Sequence, residues 1–249
     1  MTVLTNKYID HTVIHTVIIL DDYIYCGCKK FQVSELDTFI AEYNPSKELI
    51  NEGWAKYTGE LTSFAEYQKL SKRENIYVKI ALAKHFNTPV EILKVLSTDD
   101  NYKVRLAVAS NPNTPKDVLN VLSMDAYSWV REAVTKNPNT PNDVFSVLSM
   151  DSDAWVRLAV ASTPNTPKDV LKILSTDSGS WVREAVASNP NTPKDVLKIL
   201  STDSKYEVRV EVASNRNTPI DVLKVLSMDS DAWVREVASI KQNKIGSKS

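Results

Sequence analysis

The chain has 249 residues, a hydrophobic fraction of 43% and a formal net charge of −1. These values are ordinary for a protein that buries its own core, and they exclude the strong basic charge that usually accompanies non-specific binding to nucleic acids or membranes. No stretch approaches the roughly 18 apolar residues of a membrane-spanning helix, and Cys26 and Cys28 are the only cysteines. We therefore expect a cytoplasmic protein with no disulfide framework and no membrane partner.

Residues 1–58 differ in pattern from the rest of the chain. β-Branched and aromatic residues flank Asp21-Asp22 in "TVIHTVIILDDYIYCGCKKF", which predicts a β-hairpin, and a helix is predicted after Ser34. We expect a small α+β N-terminal domain at 1–58 that caps the residues that follow.

The predicted hairpin also suggests a weak candidate metal site. A turn centred on Asp21-Asp22 places Val17 opposite Cys26, and it brings four side chains that zinc would accept to one face: His11, His15, Cys26 and Cys28. A slip of one residue destroys this cluster, and the alternative is a pair of small buried cysteines with exposed histidines. We assign no metal and no cofactor.

From residue 59 onward the chain is repetitive. The copy at residues 111–136 reads "NPNTPKDVLNVLSMDAYSWVREAVTK". Six clear 26-residue copies follow one another without a gap, after a degenerate copy at 59–84; the clear copies begin at His85, Asn111, Asn137, Thr163, Asn189 and Asn215. A fixed period without insertions predicts a solenoid at 59–240, followed by a polar tail at 241–249.

Each copy contains the signals of two short helices. Thr114 is predicted to cap the first helix, with Pro115 at its first position and Asp117 at its third. A second helix is predicted after Asp125, ending at Asn137. The predicted core positions of this copy are Val118, Leu119, Leu122, Val130, Ala133 and Val134.

The sequence pattern of the repeat resembles the HEAT-like repeats and especially the leucine-rich-repeat-variant family. The pattern is DVLxxLSxD followed by WVRxAVASNPNTP. The resemblance covers about residues 59–240 and implies a mostly α, right-handed solenoid of paired short helices. Some members carry a cysteine-ligated iron–sulfur cluster ahead of the repeats, but two cysteines do not support one here. HEAT-like folds also include a DNA glycosylase class, and no residues here match its catalytic set, so we predict that the protein is not an enzyme.

Because each repeat position recurs in every copy, the residues at one position form a row along the solenoid. The first row is arginine, at Arg105, Arg131, Arg157, Arg183, Arg209 and Arg235, with an aspartate between the two helices of every copy. One interpretation is a ladder of Asp–Arg pairs that ties adjacent repeats together. The alternative is an arginine track that binds the nucleic-acid backbone, although residues 85–240 contain 17 basic and 20 acidic side chains.

The second row is aromatic and lies at the entry to the second helices: Tyr102, Trp129, Trp155, Trp181, Tyr206 and Trp233. These rings either fill the groove between repeats or line a concave surface that binds a partner, as tryptophan and tyrosine often do. Three residues further on, apolar and acidic residues alternate in a third row: Leu106, Glu132, Leu158, Glu184, Val210 and Glu236. This alternation suits a protein or peptide segment, and its alternative is drift after duplication of a two-repeat block.

A fourth row of lysines lies on the outer face of the first helices and is expected to be solvated. The sequence as a whole predicts a non-enzymatic scaffold that binds a protein or peptide along a concave, aromatic-lined face. Nucleic-acid binding through the arginine row is the less favoured alternative. Self-association through the terminal repeats or the N-terminal region is a further option.

Overall fold

The computed structural model describes residues 2–5, 16–20, 23–26, 29–32, 64–72 and 76–246. These residues fall in two units, Met1–Val118 and Leu119–Ser249. The boundary lies inside a short helix of the repeat region and not at the end of the predicted N-terminal domain.

The first unit contains four short antiparallel strands in the order β1-β2-β3-β4. Their bounds are Thr2–Thr5 (β1), Thr16–Leu20 (β2), Tyr23–Cys26 (β3) and Lys29–Gln32 (β4). In the β2–β3 pair Val17 lies opposite Cys26, the pairing expected from the sequence. The helix predicted after Ser34 lies outside the described residues, so the α+β character of residues 1–58 is not confirmed.

The remainder of the described chain is helical. In the first unit, the helices are Phe64–Ser71 (α1), Ile76–Lys84 (α2), Val90–Leu96 (α3) and Tyr102–Ser110 (α4). The helix Lys116–Leu122 (α5) contains the boundary between the units. In the second unit, the helices are Ser128–Lys136 (α6), Asn142–Leu148 (α7), Ala154–Ser162 (α8), Lys168–Leu174 (α9), Ser180–Ser188 (α10), Lys194–Leu200 (α11), Tyr206–Ser214 (α12), Ile220–Leu226 (α13) and Ala232–Gly246 (α14).

These helices alternate in length in the way that a two-helix repeat requires. From α3 to α13 each first helix has seven residues and each second helix has nine. Helices this short are marginal alone, so packing between repeats must hold them. The mostly α, two-helix repeat architecture is thus confirmed. The handedness of the solenoid stays a prediction.

The core of the second unit is formed by the predicted apolar stripes. In the repeat that begins at Thr163, the buried positions are Val170, Leu171, Leu174, Val182, Ala185 and Val186. The equivalent Ala133 is only half-buried. Successive second helices pack directly against one another, with small residues such as Ala159 and Ala185 between them. Close approach of the second helices leaves little room for larger side chains between them.

In the five first helices whose N-caps are described, the threonine does not cap the helix, contrary to the prediction. Proline occupies the N-cap position of α3, α7, α9, α11 and α13, and no side chain caps these helices. Thr166 Oγ1 instead donates a hydrogen bond to the carbonyl of Val160 at 2.5 Å, and Thr88 Oγ1 donates likewise to Leu82; Thr114 Oγ1 also donates to the carbonyl of Val108. The buried hydroxyl satisfies a carbonyl at the end of the preceding second helix, where helices leave such groups unpaired.

The asparagine that opens three of the repeats, at Asn111, Asn189 and Asn215, links its repeat to the one before it. Asn189 Nδ2 donates to the carbonyls of Ala161 and Thr163 at 2.7 and 2.9 Å, while its Oδ1 accepts from the amide of Asn191. All these groups are taken from water and paired, which is the condition for burying polar atoms at low cost. Asn215 repeats the pattern with Ala187 and Asn189.

Residues 241–246 of the predicted polar tail are helical, because α14 continues to Gly246, and the last three residues lie outside the described part of the chain. Lys241 stands where the earlier repeats have asparagine, and its Nζ donates to the carbonyl of Asn215. Burial lowers the pKa of Lys241. Gln242 Nε2 donates to the carbonyl of Leu223 at 2.7 Å, so side chains of the expected tail cover the end of the last repeat.

Candidate functional site

The arginine row of the second unit forms a ladder of ion pairs. Arg131, Arg157, Arg183 and Arg209 each bind the aspartate of the following repeat, with Nε donating to Oδ2 at 2.6–2.7 Å and Nη2 donating to Oδ1 at 2.8–3.1 Å. Nη1 of each donates at 2.7 Å to the carbonyl of the aspartate in its own repeat. Every guanidinium therefore ties two repeats together, as the structural interpretation of the row predicted.

These pairs are well shielded from solvent. The arginine side chains are 12–15% exposed and their aspartate partners 7–10% exposed. Hydrogen bonds from Arg183 hold the pKa of Asp203 below its ordinary value, against the opposing effect of burial. In the first unit Lys79 takes the arginine position and binds Asp99 at 2.6 Å. Arg105 and Arg235 donate through Nη1 to the loop carbonyls of their own repeats.

The aromatic row is exposed in the second unit. The rings of Trp129, Trp155, Trp181, Tyr206 and Trp233 are 40–60% exposed, and Tyr102 in the first unit is half-buried. Two of the small residues on these helices, Ala159 and Ala185, are buried while the rings are not. Of the two interpretations offered by the sequence, exposure is therefore the one that the structure shows.

Two of these rings form a pair. The centroids of Trp155 and Trp181 are 5.0 Å apart, with an interplanar angle of 50°, which is a favourable tilted arrangement. Gly179 makes room for it, because an added Cβ would lie 2.3 Å from Nε1 of Trp181. The other repeats have a larger residue at this position, so the close approach of the Trp181 ring to the backbone is special to this repeat.

The third row lies beside the rings at intermediate depth. Leu106, Glu132, Leu158, Glu184 and Val210 are half-buried and Glu236 is exposed. Lys136 binds Glu132 at 2.6 Å on the same helix. Glu211, where most copies have alanine, is half-buried, and its pKa is raised by burial and by the charge of Glu184. This part of the second unit therefore presents aromatic rings together with carboxylates.

The proposed zinc ligands are not brought together by any described geometry. His11, His15 and Cys28 lie outside the described residues, and only the backbone of Cys26 is described. Within the described part of the chain, no group of three histidine, cysteine or acidic residues could hold a metal ion. Among the same residues no helix is long and apolar enough to cross a membrane.

Sequence reasoning missed two surfaces. One is an outer row of exposed apolar residues on the first helices, at Val95, Val121, Val147, Ile173, Ile199 and Val225. The other is a cleft at the turns between repeats that is lined by Lys168, Lys194 and Arg216. The sequence feature that could have indicated the cleft is Arg216, which stands where four other copies have proline.

The repeated helix pairs and the polar links between neighbours define the protein as an α-solenoid repeat protein. A family model described as leucine rich repeat variant matches residues 181–204. A solved structure described as "a leucine-rich repeat variant with a novel repetitive protein structural motif" is similar at 23% sequence identity with a TM-score of 0.58, over 77% of this chain and 82% of that chain. Residues 181–204 therefore carry the leucine-rich repeat variant motif, and the chain shares the fold of that structure, in agreement with the resemblance predicted from the sequence. No curated protein matches.

Proposed function

We propose that the protein is a non-enzymatic scaffold that binds a protein or peptide segment along the aromatic row of its second helices. The observation that supports this most directly is the exposure of five large rings at one repeat position. The tryptophans at four recurring positions leave about half of their surface exposed, whereas tryptophan and tyrosine dominate the binding energy of protein interfaces.

The chemistry around the rings favours a particular kind of segment. Leu158 follows Trp155 by three residues on α8 and Glu184 follows Trp181 by three residues on α10, while Glu211 lies close enough to Glu184 for their charges to interact. An extended or helical segment with apolar side chains and some lysine or arginine would complement both. A basic side chain would also interact favourably with the faces of the rings.

The state of the arginine row weakens the nucleic-acid alternative. Phosphate binding requires guanidinium donors that point to solvent, but Nε, Nη1 and Nη2 of Arg131, Arg157, Arg183 and Arg209 are already bound to protein oxygens. Releasing one would break a shielded ion pair, which is costly. A peptide partner requires no such rearrangement.

The proposal is tested with a displayed peptide library and with the intrinsic fluorescence of the protein. Four of the five tryptophans lie in the aromatic row, so binding there changes the emission. We expect Trp155→Ala combined with Leu158→Glu to weaken binding of the enriched peptides at least about tenfold. Glutamate suits this position, since Glu132 and Glu184 occupy it in neighbouring repeats.

The matched control is Met150→Thr, which removes an exposed apolar side chain from the turn between α7 and α8. Threonine is tolerated there because three other copies contain it. The assignment is wrong if the double variant keeps its far-UV circular dichroism and binds as the wild type does. Competition by mixed DNA or RNA, with steep loss of affinity as salt rises, would favour the arginine-row alternative.

Self-association belongs to the same proposal. Trp233, Ile240 and Ile245 expose apolar surface on the last described helix, which could meet a second copy. Light scattering of the purified protein across a concentration series tests this, and a constant monomer mass at about 100 μM would contradict it. We retain a cytoplasmic location in the proposal.

A further inference from the structure

A cleft of about 540 Å³ lies at the turns of three successive repeats in the second unit. Its lining comprises Lys168, Pro190, Asn191, Thr192, Pro193, Lys194, Arg216 and Asn217. Lys168 opens α9 and Lys194 opens α11, while Arg216 lies in the turn before α13. One face of the second unit therefore brings together three basic side chains from different repeats, away from the aromatic row.

The charge of this cleft is not neutralised by its own lining. None of the residues that line it is acidic, and none of the three basic side chains has an ion-pair partner among the described residues. Asp169 and Asp195 follow the two lysines in sequence, but they are exposed and do not line the cleft. Three like charges gathered around one depression repel one another unless an anion binds.

Arg216 is the residue that makes this cleft differ from the other turns. The equivalent positions in four other copies are Pro112, Pro138, Pro164 and Pro190, which have neither charge nor donor. Arg216 Nη2 lies 3.5 Å from the carbonyl of Pro190, and both residues line the cleft. Asn217 Nδ2 donates to the same carbonyl at 2.7 Å and fixes the neighbouring wall.

We propose that this cleft binds a phosphate monoester. Three positive charges match a dianion better than a single carboxylate, and a guanidinium pairs with two phosphate oxygens at once. The cleft is larger than a phosphoryl group, so the organic part of the ligand lies over the rings of Pro190 and Pro193. This site is separate from the aromatic row and does not depend on the peptide-binding proposal.

The test is an NMR titration of the wild-type protein at low ionic strength with inorganic phosphate, phenyl phosphate and sodium sulfate. We expect the amide signals of Asn191, Thr192 and Asn217 to move on addition of either phosphate, with a dissociation constant on the order of 1 mM for phenyl phosphate. Phenyl phosphate binds more tightly than inorganic phosphate if the prolines contact its ring.

Two variants and one control isolate the cleft. Arg216→Pro introduces the residue that four other copies have at this position, so the variant keeps the fold. We expect Arg216→Pro and Lys194→Gln each to weaken phenyl phosphate binding about tenfold. Lys224→Gln removes a lysine that does not line the cleft and leaves the affinity unchanged. Free O-phosphoserine and a phosphoserine peptide distinguish the source, since tighter binding of the peptide indicates a phosphate presented by a protein.

The proposal is overturned by any of three results. The first is the absence of shifts at the three amides up to 20-fold above the expected dissociation constant, on the order of 20 mM. The second is an equal response to sulfate and phenyl phosphate. The third is an Arg216→Pro variant that binds phenyl phosphate as tightly as the wild type does.

Discussion

The ion pair between Arg183 and Asp203 allows the contribution of the arginine row to stability to be measured. In the native protein, Asp203 Oδ1 accepts a hydrogen bond from the backbone amide of Lys205 at 2.9 Å. Asp203→Asn removes the negative charge but keeps a side-chain oxygen that can accept the same hydrogen bond. The substitution therefore leaves the turn intact. In the native protein, Arg183 Nε and Nη2 donate to the Asp203 carboxylate at 2.6 and 2.9 Å. After the substitution, the Arg183 guanidinium faces a neutral amide in place of this carboxylate.

The expected cost follows from the shielding of the pair. Removing one partner of a buried ion pair destabilises a protein by about 3–5 kcal/mol. Arg183 keeps its hydrogen bond to the carbonyl of Asp177 and is slightly exposed to solvent. We therefore expect Asp203→Asn to lower the free energy of unfolding by somewhat less, about 2–3 kcal/mol. Arg183→Met combined with Asp203→Asn should cost about 1 kcal/mol less than the sum of the single changes, because no uncompensated charge remains.

The measurement is urea unfolding followed by far-UV circular dichroism, at neutral and acid pH. The folded pKa of Asp203 lies below its ordinary value of 3.8, so the stability from this group is present above pH 3.8 and is lost as the pH falls through the folded pKa. The effect of Asp203→Asn should therefore shrink in acid. A loss below about 0.5 kcal/mol at pH 7, or a loss that does not vary with pH, would refute the ladder as a stabilising element.

Four substitutions toward or away from the repeat consensus give further expectations. Thr163→Asn should raise the free energy of unfolding by about 1 kcal/mol, measured by urea melts, because an amide can donate to two carbonyls of the preceding repeat. Burial lowers the pKa of His85, so its contribution to the stability of the folded state is present above pH 6.5 and is lost as the pH falls through the folded pKa. His85→Asn should remove this loss of stability in acid. Thermal melts from pH 7 to 5 measure the effect. Glu211→Ala should raise the melting temperature by roughly 2 °C at pH 7. Since the pKa of Glu211 is raised, that gain should disappear as the pH falls below the pKa of the unfolded chain, near 4.3. Gly179→Ala should displace the Trp181 ring with little change in stability, measured as loss of the exciton signal of the tryptophan pair in circular dichroism.

The fold was predictable because the signals within each repeat agree with one another. Apolar spacing, proline positions and the fixed period all indicate the same pair of helices, and the buried set Val170, Leu171 and Leu174 follows directly from the first of these. The pairing of each arginine with an aspartate was also predictable, since equal numbers of both charges recur in phase. That arginine binds the aspartate of the next repeat required the structure.

The role of the conserved-looking threonine in each copy could not be predicted. A threonine before proline can accept from the amides of the helix that follows or donate to a carbonyl of the helix that precedes, and both groups lack partners at helix ends. Thr166 makes the second choice, since its buried hydroxyl donates to the carbonyl of Val160 near the end of α8 and no side chain caps α9. Only the packing of the turn decides between these two options.

The exposure of the aromatic row was left open by the sequence for a similar reason. A helical wheel places Trp155 at the flank of the apolar stripe, where a ring can either enter the groove between helices or lie outside it. How closely neighbouring second helices approach decides this, and these helices are in contact, with Ala159 and Ala185 buried. Periodicity reports which side of a helix a residue occupies, but it does not report how closely two helices approach.

A repeated sequence has a consequence for where specificity can reside. Any site built from consensus residues occurs in six copies, so a ligand that binds at one place requires departures from the consensus. Gly179, Glu211 and Arg216 are such departures, and they occur in the last three repeats. Gly179 allows the tryptophan pair, Glu211 adds a carboxylate beside it, and Arg216 completes the basic cleft at the turns. The uniform ladder of arginine, aspartate and asparagine holds the repeats in register, and these three residues give the second unit local chemistry that its other repeats lack.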